Sequence, residues 1–294
     1  MLTYVTDDER VIKDILVKEF QISARLLRKL KLNDRIFCNG KVAWVNGNAK
    51  PGDEIKVNIF FEEEAESIKS EVGKLDILYE DDSLLLINKS GNMVSHPTCL
   101  HQSGTLANFV KGYFESKGEN IKVRFVNRLD RETSGVIVLA KNDYVQDILS
   151  KEMQSGEFSK EYIAVVHGVL DRDFGTVDLP IKREPDSIMT RMVAPDGERA
   201  VTHFEVLRRL SDMTVLKLRL ETGRTHQIRV HLKAIGYPIV GDGLYSDVKT
   251  DLISRQALHS YRTGFVHPVS REKVMVTAGL PEDILDLIKV EMVL

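Results

Sequence analysis

The stretch "FVNRLDRETSGVIVLA", Phe125 to Ala140, sets one carboxylate, Asp130, between Arg128 and Arg131. An apolar run stands on either side, "VRFV" before it and "GVIVLA" after it. β-branched and aromatic residues of this kind favour strands. The residues between them are therefore expected to join two strands at the edge of a sheet. In extended backbone Arg128 and Asp130, two apart, share a face. A guanidinium close to a carboxylate favours its ionised form. Asp130 is thus expected to be an anion, able to act as a nucleophile or to stabilise positive charge, and a poor general acid. The competing reading is structural: Asp130 caps its own turn through Thr133 and Ser134.

Working outward, short β-type runs dominate from Leu75 onward: "LDILYE", "LLLIN", "EYIAVVHG", "THFEVLRR" and "VLKLRL". Helical spacing is confined to segments near 106–116, 144–154, 226–234 and 283–290. Uneven strand clusters without βαβ alternation predict an α+β domain with a mixed, largely antiparallel sheet and flanking helices. No repeat at a fixed period interrupts it.

The segment 1–61 differs in character. Val11, Ile15 and Phe20 recur at near-helical spacing, and Ser23 is a plausible N-cap for "ARLLRKLKL". Two short β-type runs meet at Asn39-Gly40, the preferred pair for a tight hairpin turn. A helix-helix-hairpin-strand module ending near Phe61 follows. Residues 62–74 are acidic without apolar period and read as a solvated linker, leaving 75–294 as the larger domain.

Composition bounds the class. The chain has 294 residues, 43% hydrophobic and 29% charged, as in ordinary globular proteins. No apolar run approaches a bilayer span, and "MLTYVTDDERVIKD" lacks a signal-peptide pattern. Cys38 and Cys99 lack metal spacing and read as reduced thiols of a cytoplasmic protein. The net charge of −3 hides a local asymmetry. Arg10 to Lys56 carries 11 basic and 5 acidic residues, a balance of +6, whereas Glu62 to Asp82 carries 9 acids and 2 lysines, −7. A polyanion responds to the local field, because screening acts over roughly 8 Å.

Two further stretches could carry chemistry. In "ETGRTHQIRVHL", Glu221 to Leu232, a strand runs into a break at Gly223, and Thr225 can cap a helix. His226, Arg229 and Lys233 then fall near one face. His226 and His231, five apart with no Glu between them, do not match a zinc pair. The face is either solvated or brings a second arginine to Asp130. In "SKEYIAVVHG", Tyr162 is either a packed strand residue or a flat face for a nucleobase.

Taken together these motifs resemble those of the RluA-type pseudouridine synthases. "VNRLDRETSGVIVLAK" is similar to the family signature, His or Asn, then Arg-Leu-Asp, two variable residues and Thr-Ser-Gly. "SKEYIAVVHG" and "ETGRTHQIRVHLKAIGYPIVGDGLY" resemble the next two motifs, in order. "DDSLLLINKSGNMVSHP" and "ALHSYRTGFVHP" resemble the opening and closing segments. Ser90 stands where the family often has Pro, and Asn127 where it often has His. The resemblance implies an RNA isomerase needing no cofactor or metal. Asp130 would be the catalytic aspartate, Tyr162 would stack on the target base, and Arg229 would pair with Asp130. Arg128 would help displace or replace the extruded uridine. Arg131, Arg224 and His226 are further candidate substrate contacts. The segment 1–61 resembles the small RNA-binding domain named for ribosomal protein S-four, which implies a basic surface of Arg25, Arg28, Lys29 and Lys31 with Lys41 beside it. RNA is the implied partner, ribosomal RNA favoured over transfer RNA, for a chain expected to be monomeric and not bound to membranes. The rival readings are a silent RNA-binding protein on the same fold and a metal- or His-based RNA hydrolase using His226 and His231.

Overall fold

The computed structural model describes residues 1–60, 68–99 and 101–289. Within 1–60 the chain forms β1 (Leu2–Val5), β2 (Arg10–Val11), α1 (Ile12–Lys18), α2 (Ala24–Leu32), β3 (Ile36–Cys38), β4 (Lys41–Val42), β5 (Asn48–Ala49) and β6 (Glu54–Val57). Ser23 caps α2 by accepting from the Leu26 N–H. Asn39 and Gly40 take φ values of +49° and +76°, the left-handed pair that a two-residue hairpin needs. The expected boundary at Phe61 and the first part of the acidic stretch lie outside the described residues. In its remainder Ile68 is buried and the Glu71 N–H donates to the Asn108 carbonyl, while Lys69, Val72, Gly73 and Lys74 are exposed.

The remaining chain supplies β7 (Ile77–Glu80), β8 (Leu84–Lys89), α3 (Leu106–Ser116), β9 (Arg124–Phe125), β10 (Ser134–Ala140), α4 (Asp143–Ser155) and β11 (Ser159–His167). There follow β12 (Phe174–Asp178), β13 (Ile181–Arg183), β14 (Arg191–Val193), β15 (Val201–Arg209), β16 (Met213–Leu220) and α5 (Gln227–Ala234). The chain closes with β17 (Leu258–Val266), β18 (Lys273–Thr277) and α6 (Glu282–Lys289). One sheet runs β12-β15-β16-β11-β17-β10-β8-β7, with β18 on β17 and β9 on β10. It is antiparallel except where β10 meets β17. The mixed, largely antiparallel α+β architecture read from the sequence is present. One expectation fails. The loop carrying Asp130 does not lie at a sheet edge, because β10 sits between β17 and β8.

The apolar run of β10 explains its position. All seven of its residues are buried. Ile137 and Leu139 face a core shared with α3 and α5, while Val136, Val138 and Ala140 face a second core shared with α4. A strand covered on both faces needs a continuous apolar run rather than alternation. The second core continues into the N-terminal module through Leu26, Leu27 and Leu30. Polar contacts reinforce that junction: Lys29 Nζ lies 2.8 Å from Asp143 Oδ2, and Lys151 Nζ donates to the Gln21 carbonyl at 2.9 Å.

The parallel pairing of β10 with β17 rests on Gly135. Its φ is +110°, and a Cβ there would stand 2.2 Å from the Ser260 carbonyl oxygen. Gly135→Ala is therefore expected to cost at least about 3 kcal/mol, from strain plus collision with backbone. Urea unfolding checks this; a loss below about 1 kcal/mol would mean that the two strands separate easily.

Beside it, His259 is fully buried, with Nδ1 2.9 Å from Ser134 Oγ and Nε2 3.2 Å from the Ala278 carbonyl. Burial is the main force that pushes this imidazole down to about 4. The unfolded chain takes up that proton first on acidification, so the stability is whole above about pH 6.5 and is lost as pH falls towards 4. The loss amounts to roughly 3 kcal/mol. In His259→Gln the decline of the urea midpoint across that window should be shallower than in the parent; an identical decline would contradict it.

Candidate active site

The Asp130 loop is fixed by its backbone. The Thr133 N–H donates to the Asp130 carbonyl at 3.1 Å, closing the turn. The neighbouring carbonyls are also held: Leu129 by Ser95 Oγ, Arg131 by Lys89 Nζ and Glu132 by Arg255 Nη1. The carboxylate is therefore not consumed in capping its own turn. Lys89 is buried, and burial pushes its ammonium down to about 7. Its three carbonyl acceptors, on Ser90, Met93 and Arg131, occupy all three N–H donors of the charged form. Arg255 is held in turn by both oxygens of Asp283. Asn127 knits the loop to β10, accepting from the Val138 N–H at 2.7 Å and donating to the Val136 carbonyl at 3.3 Å.

The Asp130 side chain is 30% exposed, and its Oδ2 accepts from Arg229 Nη1 at 3.1 Å. Arg229 projects from α5 and is buried. Its Nε and Nη2 fork onto the two oxygens of Asp242, at 2.7 and 2.8 Å. Asp242 is itself buried and also accepts the N–H groups of Leu244 and Tyr245. The Tyr245 ring lies 4.9 Å from the guanidinium carbon. Two fork donors and a ring thus fix Arg229, and its third edge is aimed at Asp130. Such bidentate geometry suits arginine and excludes lysine. Asp242 and Tyr245 went unassigned in the sequence reading; their signal was "GDGLY", an acid and an aromatic in a Gly-rich turn.

His226 is the residue before α5, where Thr225 was expected to cap; its φ is +58°, in the left-handed region that non-glycine residues adopt at a cost. The Tyr245 hydroxyl accepts the Arg191 N–H and is hydrogen-bonded to His226 Nδ1, 2.9 Å away. His226 Nε2 stands 3.7 Å from Asp130 Oδ2. Burial pushes this imidazole below its ordinary value, against the opposing pull of Asp130, which leaves the ring neutral. His231 is remote from this chemistry, bonded to Thr202 Oγ1 and the Leu179 carbonyl.

Across the loop, Tyr162 on β11 lines the same cavity as Asp130, about 70 Å³, with Arg128, Leu220 and Leu258. Burial pushes its phenol up to about 12, with Asp130 adding to the rise, so it remains neutral. Arg128 is exposed at the mouth. Arg131 is exposed and lines an adjoining cavity of about 430 Å³ with Asp130 and Arg229. Arg224 lines the first cavity, but its guanidinium bonds to Glu198 and to the Arg199 carbonyl. Five candidates lie outside the cleft, in the N-terminal module, among them the exposed Lys31. Arg25, Arg28 and Lys41 are exposed there, whereas Lys29 is committed to Asp143.

A charged carboxylate beside a packed tyrosine, in a cleft rimmed by arginine, suits a nucleotide substrate. A family model described as RNA pseudouridylate synthase matches residues 83–234, just over half the chain. The chain belongs to that family and is an RNA pseudouridine synthase, an isomerase. It is 44% identical over 274 residues to the uncharacterized RNA pseudouridine synthase YjbO of Bacillus subtilis (strain 168), covering 93% of this chain and 96% of that protein. It is 36% identical over 278 residues to ribosomal large subunit pseudouridine synthase D of Escherichia coli (strain K12), covering 88% and 83%. The fold is similar to that of human RNA pseudouridylate synthase domain containing 1, with a TM-score of 0.60 at 23% identity over 79% of this chain and 98% of that one.

Proposed function

We propose that the chain isomerises a uridine in large-subunit ribosomal RNA, with Asp130 as the reacting carboxylate. The observation that carries this is the contact of Asp130 with an arginine that Asp242 holds from behind. The likeness to the E. coli large-subunit enzyme supports the choice of RNA. The reaction breaks the bond from uracil N1 to the ribose, turns the base and rejoins it through carbon 5, which gives up its proton. The target must first leave its stack, at a cost of a few kcal/mol. Stacking on Tyr162 returns roughly 1–3 kcal/mol of that, and Arg128 at the mouth is suited to fill the vacated position. Whether the carboxylate attacks the anomeric carbon or carbon 6, or takes a proton from the sugar, Arg229 holds it in place through Nη1. A phenol pushed up to about 12 is a weak proton acceptor at neutral pH. Asp130 is therefore the better candidate for removing the carbon 5 proton. The test is to map pseudouridines in total RNA from cells with and without the gene. Loss of a site in large-subunit ribosomal RNA is expected; loss only in transfer RNA would move the substrate.

The N-terminal module is proposed to bind flanking RNA in the manner of the small ribosomal-protein domain. Arg25 and Arg28 on α2 and Lys41 on β4 are exposed cations. Trp44, the sole tryptophan, is 84% exposed just past β4 and offers a stacking face. RNA is expected to quench the emission of Trp44, and Arg25→Glu with Arg28→Glu should weaken binding at least about tenfold. Unchanged emission and affinity would remove this surface from RNA contact.

A further inference from the structure

Behind Tyr162 the cleft widens into a cavity of about 280 Å³, which Asp130, Tyr162 and Arg128 share with Lys160 and the 223–226 turn. Lys160 stands two residues before Tyr162 on β11 and is only 6% exposed. Among the described residues its ammonium has no hydrogen-bond or ion-pair partner. That is unusual, because buried charges in proteins are nearly always paired. The location of the ammonium is well defined: a Cβ on Gly223 would stand 3.3 Å from Lys160 Nζ, so the missing side chain leaves it room at the turn. Burial alone pushes Lys160 below its ordinary value; no carboxylate pulls it back. Asp130, the acid that lines this cavity, already faces Arg229. Arg128 adds a second cation to the wall, whereas the Arg224 guanidinium is held by Glu198.

We propose that Lys160 receives a backbone phosphate of the extruded nucleotide, in the part of the cleft beyond Tyr162. This rests on the isomerase reading of the site. A largely buried cation facing a cavity, with Arg128 at its rim and no free carboxylate, is complementary to an anion. RNA supplies one anionic phosphate per nucleotide, and Lys160 lines the same cavity as Tyr162, the residue proposed to stack on the base. Lysine suits this task as a compact point charge on a long stem. The ammonium stands unpaired until RNA arrives, so its desolvation is a stability cost tolerated for binding. Lys160 is a positioning residue here: it fixes the sugar-phosphate so that the anomeric carbon and ring meet Asp130, and it takes no part in bond making.

The test uses the full chain and total RNA from cells lacking the gene, grown with uridine tritiated at carbon 5, so that the natural substrate is present whichever RNA it is. Tritium release at subsaturating RNA gives kcat/KM, read across a series of potassium chloride concentrations. Lys160→Met is expected to lower kcat/KM about tenfold while kcat stays within about twofold. Its salt slope should shrink by about 0.7–0.9, the value of one lost phosphate contact. Lys160→Arg should keep the parental slope. Without RNA, Lys160→Met should melt at the same temperature as the parent or higher, since an unpaired buried charge is gone. An unchanged slope in Lys160→Met, or a lower melting temperature with kcat and KM altered together, would overturn the phosphate role and make Lys160 structural. No tritium release by the parent chain would instead overturn the isomerase reading, so the two failures are told apart.

Discussion

Asp130→Asn is expected to lower isomerisation by about 10⁴-fold or more while RNA affinity stays within about threefold. The carboxamide keeps the size and planarity of the side chain and loses the charge and nucleophilicity. The fold should tolerate the exchange. The Asp130 side chain is partly exposed, and Arg229 retains both oxygens of Asp242 when the charge opposite its third edge disappears. Stability should therefore move by no more than about 1 kcal/mol. Tritium release from carbon 5 of uridine reads the chemistry, and filter binding to the same RNA reads affinity. Residual release within tenfold of the parent would transfer the reaction to another group. Loss of binding in parallel with activity would make Asp130 a recognition residue.

Arg229→Ala is expected to reduce kcat by about 10²–10³-fold, with a much smaller effect on RNA affinity. Removing the guanidinium takes away the group that holds the Asp130 carboxylate. It also leaves Asp242, fully buried, without its bidentate partner. That second effect is large: stripping one member from a buried pair costs about 3–5 kcal/mol. The melting temperature must therefore be read alongside the rate. Arg229→Lys separates the two. It keeps a positive charge near Asp242 but cannot span Asp242 and Asp130 together. It should remain folded and still lose about tenfold or more in kcat, because one ammonium cannot form the fork and the third contact at once. A variant that lost only affinity, with kcat intact, would reduce Arg229 to a phosphate contact.

Local features of this protein were legible in the chain because they depend on neighbours in sequence. The Asn39-Gly40 turn needs left-handed backbone at two adjacent residues, and Ser23 needs only a nearby N–H to cap α2. The apolar run of β10 announced a buried strand, and the Arg-Leu-Asp and Thr-Ser-Gly triplets marked the Asp130 loop. What stayed hidden depends on residues far apart. The pairing of Arg229 with Asp130, 99 positions apart, was left open by the residues and implied only through the family resemblance, and the contact of Arg255 with the Glu132 carbonyl, 123 positions apart, had no signal in the chain. Nothing local in "GDGLY" says that Asp242 will hold an arginine 13 residues earlier.

The sequence by itself determined the helices and the most apolar strands, though not β1, β12–β14, β17 or β18, and which side chains have the chemistry of the site, since backbone propensity and side-chain type belong to the local chain. Tertiary structure alone decided that β10 lies inside the sheet, that the Asp130 carboxylate is left uncapped, and that Arg229 is clamped from behind with one edge to spare. These depend on strand order and on which distant groups satisfy each buried donor and acceptor. Short-range periodicity carries no record of either, because both are settled only when separated segments pack and water is excluded between them.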